Sequence, residues 1–167
     1  MYKTAIIGAG GVGAMAARRL SSYDMDLVIL EKEEDVAMGQ SKANSGIVHA
    51  GFDPLPGSLK AKMNVQGNAM MEKTAEELGV SFRRNGSLIL AFIDEDCKAL
   101  KKLYERGLAN GVPKLKLIGG EEARRIEKNL PETVKMALYA GTGGVICPYE
   151  LTIEAVGNAM DNGARLI

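Results

Sequence analysis

An excess of charge of one sign is missing from this chain. Its 167 residues carry 21 basic and 21 acidic side chains, and no basic stripe interleaved with aromatics runs through it, which argues against a nucleic-acid partner and for a small ligand. Long apolar runs are missing as well. Nothing approaches the length of a membrane-spanning helix, and the N-terminus leads directly into a strand-like run, with no secretory leader. A cytoplasmic chain is expected, any membrane contact of the intact protein being peripheral. Cysteine is scarce: Cys97 and Cys147 have neither metal nor redox spacing and stand in apolar surroundings, so two buried thiols are expected, with no disulfide and no metal site. Internal repeats and low-complexity segments are absent.

What is present begins at residue 4. Thr4-Ala-Ile-Ile-Gly-Ala-Gly-Gly-Val-Gly13 places a glycine-rich turn between an apolar run and an Ala-rich amphipathic run containing Val12, Met15, Ala16, Arg19 and Leu20. Gly8 suits a sharp exit from a strand. Gly10, beside Gly11, lets the backbone approach a pyrophosphate, and Gly13 lets the new helix pack closely on the sheet. Amides opening that helix face the phosphates. Leu27-Val-Ile-Leu30 reads as the second strand, and Glu31, followed by Lys32, ends it where a carboxylate accepts both hydroxyls of an adenosine ribose and repels a 2′-phosphate. FAD or NAD is thereby favoured over NADP.

A simple nicotinamide-type fold would soon reach a third parallel strand, but residues 32–58 form a long loop rich in Gly, Ser, Asn and Pro. From Ser58 to Leu78 the apolar positions Leu59, Met63, Met70, Met71 and Leu78 recur at helical spacing, and this Met-rich stripe is expected to be a core face. Ser87–Phe92 reads as a strand. Asp94 is expected to cap a helix with the stripe Cys97, Leu100, Tyr104 and Leu108, ended by Asn110-Gly111. A strand at Lys114–Ile118, a short helix at Glu121–Glu127 and a strand at Met136–Ala140 follow. Pro148 then opens a helix with Leu151, Ala155 and Ala159 on one face. The expected organisation is a nucleotide-binding domain of residues 1–82 and 148–167, with part of a more antiparallel subdomain, residues 83–147, inserted. Because Arg165-Leu-Ile167 reads as the start of a strand, the sequence is expected to be a piece of a longer protein, weakly active by itself and prone to self-association.

The loop continues as Ser41-Lys-Ala-Asn-Ser-Gly-Ile-Val-His-Ala-Gly51 and then Phe52-Asp-Pro-Leu-Pro-Gly-Ser-Leu-Lys-Ala-Lys62. Together with Glu127-Lys-Asn-Leu130, Ala137-Leu-Tyr and Gly144-Val-Ile-Cys-Pro148, these stretches resemble the FAD-dependent oxidoreductases of the D-amino-acid oxidase superfamily, within it the glycerol-3-phosphate dehydrogenase and L-2-hydroxyglutarate oxidase group. The pattern of that group has proline where this chain has Lys128. The resemblance implies an α/β fold, a Rossmann-like FAD/NAD(P)-binding domain with part of an inserted antiparallel substrate subdomain. It also implies that Gly8, Gly10, Gly13 and Glu31 hold the adenosine half of FAD, while Ser41, Asn44, Ser45 and Gly46 run along the pyrophosphate and ribityl chain. Short hydroxyl and amide side chains flanked by glycine suit a polyhydroxylated linker.

His49 is the chain's single histidine. Imidazole is the side chain best suited to accept a hydroxyl proton near neutrality, so His49 is a candidate base beside the flavin; the other reading is a packed imidazole that orients the loop. Lys60 and Lys62 suit either an anionic substrate or a solvated helix face. The expected reaction is FAD-dependent oxidation of a small anionic 2-hydroxy compound, sn-glycerol 3-phosphate first, with electrons passing on to a quinone, a carrier or oxygen. L-2-hydroxyglutarate or amino-acid oxidation, an NAD-dependent dehydrogenase and a non-catalytic nucleotide-binding module are the alternatives.

Overall fold

The computed structural model describes residues 2–167. In chain order the elements are β1 (Thr4–Ile7), α1 (Gly11–Leu20), β2 (Leu27–Leu30), β3 (Ile47–Val48), α2 (Leu59–Glu77), β4 (Phe82–Arg83), β5 (Ser87–Ala91), α3 (Asp94–Ala109), β6 (Leu115–Gly119), α4 (Gly120–Ile126), β7 (Met136–Ala140), β8 (Gly144–Ile146), α5 (Pro148–Asp161) and β9 (Arg165–Leu166). They form two compact units, one of residues 1–46, 73–82 and 146–167, the other of residues 47–72 and 83–145.

The first unit is built on a parallel sheet in the order β1-β2-β9. Thr4 pairs with Leu27 and Ile7 with Leu30, while Val28 and Ile29 face Arg165 and Leu166. A strand with neighbours on both edges is covered on both faces, so β2 is a continuous apolar run. Leu27 and Ile29 are fully buried, each worth about 1.5–3 kcal/mol of transfer free energy. Helices α1 and α5 pack against each other. Ala14 and Ala17 on α1, and Ala155 and Ala159 on α5, are completely buried, small side chains that let two helix backbones come close. Pro148 sits at the first position of α5, where its missing N–H costs nothing.

The second unit holds the antiparallel sheet β5-β7-β6, in which Leu138 on the central strand faces Ile89 and Leu117. Leu138 and Ala91, Leu100, Leu115 and Ala140 form its core, against which Cys97, Leu103 and Tyr104 of α3 pack. A shorter antiparallel pair, Ile47 opposite Val145 and Val48 opposite Gly144, leads the chain to His49.

Four local expectations are corrected. The Met-rich stripe of α2 is not a core face: Leu59 is 72% exposed, Met63 48% and Met70 65%. The buried positions are Ala61, Asn68, Thr74 and Ala75, three of them seven residues apart, with Leu78 just past the helix end. Apolar spacing located the helix, but the packing partner required small side chains and covered a different face. On α3 Leu100 is buried as expected, but near the helix end the core position is Gly107, where a Cβ would run into Leu115 and lie 2.9 Å from Phe52 Cβ; Leu108 is 52% exposed. Nor does Asp94 cap α3. The carboxylate of Asp96 accepts the amides of Phe92 and Ile93 at 3.0 and 3.2 Å, satisfying the orphan donors of the N-terminus from the first turn, while Asp94 pairs with Lys135 at 2.9 Å. Cys97 and Cys147 are half-buried rather than buried thiols.

Candidate functional site

The turn between β1 and α1 is shaped by two glycines. Gly8 lies at φ 97°, in the region that favours glycine, and donates its amide to Leu30 O at 2.7 Å. Gly13 stands so close to Gly8 that a Cβ there would overlap the Gly8 carbonyl oxygen. Gly10 occupies the N-cap of α1 with no side chain to cap it, so the first turn of the helix opens outward.

What it opens onto is a cavity of about 590 Å³ that gathers Gly8, Gly10, Gly11, Gly13, Glu31, Lys32 and Ser41. Sequence reasoning missed its apolar walls. Ile7 and Val12 are 88% and 90% exposed, and Leu30 and Met38 also border the space with apolar atoms on the surface. Large apolar side chains that uncovered beside a polar turn suit a flat heteroaromatic ring. The alternation of β1 and the position of Val12 after the glycines were the available signals.

Glu31 does more than wait for a ribose. Its Oε2 accepts the amide of Ala9 at 2.7 Å, and its Oε1 accepts those of Lys32 and Glu33 at 2.9 and 3.1 Å. The carboxylate thus braces the β1–α1 turn, and these amides, Ala9 foremost, hold its pKa below the usual glutamate value. A depressed folded-state pKa stabilises the fold above the unfolded value, and that stabilisation is lost as pH falls through the folded value. The hydrogen-exchange protection of the Ala9 amide should therefore drop as pH falls through that depressed value, below the ordinary glutamate range, and Glu31→Gln should remove that pH dependence. Protection that tracks the rest of β1 across this range would show that Glu31 does not hold the turn. Lys32 reaches Glu33 at 3.1 Å and is 87% exposed.

Ser41 brings the polar loop to the cavity. Its hydroxyl oxygen accepts the Gly11 amide at 2.8 Å, which leaves the hydroxyl proton for another acceptor. A Cβ on Gly10 would sit 3.3 Å from that oxygen. Asn44, Ser45 and Gly46 do not line the cavity. The Asn44 amide donates to Gln40 O and Ser41 O at 2.9 and 3.3 Å and accepts Gly46 N at 2.9 Å, so its side chain closes the loop upon itself. Gly46, at φ 65°, accepts Ile146 N at 2.9 Å.

In the second unit, His49 is exposed and borders a cavity of about 180 Å³ with Gly51, Phe52, Asp53, Pro54, Lys60 and Asn64. Lys60 is the second residue of α2, and Asn64 follows one turn later on the same side. Asn64 Oδ1 is buried without a hydrogen-bond partner. A small ligand carrying an anionic group for Lys60 and a hydroxyl for an orphaned acceptor would satisfy both. Lys62 is not part of this cavity.

The family model described as DAO, FAD dependent oxidoreductase, matches residues 3–167. The chain belongs to that family. It is 48% identical over 166 residues to a glycerol 3-phosphate dehydrogenase of Caloramator mitchellensis, covering 99% of this chain and 35% of that protein. To the mitochondrial L-2-hydroxyglutarate dehydrogenase of Homo sapiens it is 41% identical over 128 residues, 75% of this chain and 28% of that one. Among solved structures, the dithionite-reduced L-alpha-glycerophosphate oxidase of Mycoplasma pneumoniae with FAD bound superposes with a TM-score of 0.92 at 28% identity, covering 98% of this chain and 43% of the other. The chain thus spans about a third of the length of the curated relatives it matches.

A family cofactor of this kind needs a turn its pyrophosphate can touch, a carboxylate for its ribose and walls for its adenine. The glycine-lined α1 N-terminus, Glu31 and the exposed Ile7 and Val12 around one cavity meet those three needs, and a Cβ at Gly10 would narrow the cradle. No helix among the described residues is long and apolar enough to cross a membrane.

Proposed function

We propose that the protein oxidises sn-glycerol 3-phosphate to dihydroxyacetone phosphate as an FAD-dependent dehydrogenase. The observation that carries this reading is the 48% identity, along nearly the whole chain, to a glycerol 3-phosphate dehydrogenase. Gly8, Gly10, Gly11 and Gly13 would shape the turn that the pyrophosphate approaches, Glu31 would receive a ribose hydroxyl on Oε2, the oxygen that accepts only the Ala9 amide, and Ser41 would donate its hydroxyl proton to the phosphates. Lys32 flanks the ribose. Asn44, Ser45 and Gly46 hold the loop that borders the ribityl chain.

The chemistry that FAD supplies when bound is acceptance of a hydride from the hydroxyl-bearing carbon. His49 takes the hydroxyl proton as that carbon becomes a ketone. Lys60 pairs with the phosphate group, and Asn64 Oδ1 receives a hydroxyl hydrogen bond, which turns an orphaned acceptor into a selective one. A quinone, a carrier or oxygen then removes the electrons.

The test is anaerobic mixing of the yellow holoprotein with sn-glycerol 3-phosphate, L-2-hydroxyglutarate or glycine while the flavin absorbance is followed. Glycerol phosphate should bleach it at the lowest concentration. Bleaching by one of the other two alone would move the enzyme to another substrate, and a colourless protein that reduces NAD would overturn the cofactor as well.

A further inference from the structure

The helix α2 carries a polar residue where its packing pattern favours alanine. Of the three buried positions seven residues apart, Ala61 and Ala75 are small and apolar, but the middle one is Asn68, 6% exposed. Asparagine in a helix interior is unfavourable by propensity, and burying its amide costs more unless every bond is made. Here the bonds are made, and they reach the candidate base. Asn68 Nδ2 donates to His49 O at 3.0 Å and to Thr142 O at 2.9 Å. Its Oδ1 accepts Arg84 Nη1 at 3.0 Å, and the same guanidinium nitrogen donates to Thr142 O at 2.6 Å. The guanidinium fixes which end of the amide faces which partner, because only the oxygen accepts from Arg84 and only the nitrogen serves two carbonyls.

We infer that Asn68 is a positioning residue for His49, holding its carbonyl so that the imidazole is presented in one orientation to its cavity. The consequence is geometric. Only Ile47 and Val48 of this segment are in a strand, so His49 lies just past the last ladder hydrogen bond and its backbone is fixed from α2 instead. Thr142, in the turn before β8, is bound by the same amide, so one side chain ties together the His49 segment and the turn leading to the strand it pairs with. Arg84 also reaches Asn68 O at 3.2 Å and Glu72 at 3.4 Å, which keeps the amide from rotating.

This inference rests on the reading of His49 as the base, and the experiment separates the two. Asn68→Asp keeps the size of the side chain and the Arg84 contact but cannot donate to His49 O; Asn68→Ala removes both. In the chain labelled with carbonyl-¹³C histidine, whose single histidine gives one signal, both variants should shift that carbonyl, and the imidazole proton signals should move toward those of free histidine. In the whole flavoprotein each should keep its FAD and slow flavin reduction by about 10- to 100-fold, the scale of a displaced reacting group. On a His49→Asn background Asn68→Ala should then have no further effect on that rate. An unmoved imidazole signal, or a rate loss that adds in full to that of His49→Asn, would overturn the positioning role. If His49→Asn alone reduces at the parent rate, the proposed base fails, while the carbonyl and imidazole signals still decide whether Asn68 orients it. Should the alanine variant not fold, the isosteric aspartate carries both measurements.

Discussion

Gly10→Val should give a folded but colourless protein, whereas Gly13→Val should not accumulate as folded protein at all. The two glycines stand three residues apart in one turn, and their neighbours separate the outcomes. Gly10 has an ordinary extended backbone, φ −77° and ψ 175°, which valine adopts readily, and the nearest obstacle to a Cβ is the Ser41 hydroxyl at 3.3 Å. The branches of valine would therefore project into the cavity and against Ser41 without forcing the main chain apart. FAD affinity should fall by about 100-fold or more, about 2.8 kcal/mol, with a melting temperature for the apoprotein near that of the parent. At Gly13 the obstacle is the Gly8 carbonyl, main chain that cannot rotate away, with Ile6 behind it. Gly13→Ala, the mildest form of that change, should already lower the melting temperature by several degrees, as loss of about 1–3 kcal/mol does in a domain of this size. Unchanged FAD affinity in folded Gly10→Val would show that the glycine turn serves the fold alone.

That difference also explains what could be read in advance. Glycine spacing and the run Leu27–Leu30 located β1, α1 and β2, because the turn is made by local backbone demands that only particular residues meet. The antiparallel sheet was legible in Ser87–Ala91 and Met136–Ala140, whose apolar, β-rich runs stand between turn residues. Faces were harder. Periodicity placed α2 to within a residue at each end, yet its covered side is set by what packs there, and that partner asked for Ala61, Asn68 and Ala75 rather than methionine. The long loop hid most. Asn44 spends its side chain on the loop's own carbonyls, Asn68 and Arg84 meet across 16 residues, and Asn68 meets Thr142 across 74; no spacing rule links residues so separated. Glu31 was legible as an acid at the end of β2, but its grip on Ala9 was not, since that needs the turn already folded.

His49→Asn should leave FAD bound while slowing flavin reduction by about 10²-fold or more, the usual scale for losing a general base. Asparagine is close to histidine in size near the backbone, and Asn68 holds the carbonyl of residue 49 rather than its side chain, so the loop should keep its path. What disappears is a nitrogen able to take a proton. The exposed imidazole faces a cavity with Lys60 at one side and the unpartnered Asn64 oxygen at another. In the proposed reaction the ammonium would orient an anionic group and the amide oxygen a hydroxyl, which leaves the imidazole as the group to accept a proton from the reacting alcohol. The substrate concentration for half-maximal bleaching should stay near the parent's in His49→Asn, since Lys60 and Asn64 remain. Replacing Lys60 with methionine should act differently, raising that concentration while the limiting rate stays near the parent's. A parent-like rate in His49→Asn would remove His49 from the chemistry, and loss of FAD would reassign it to supporting the loop.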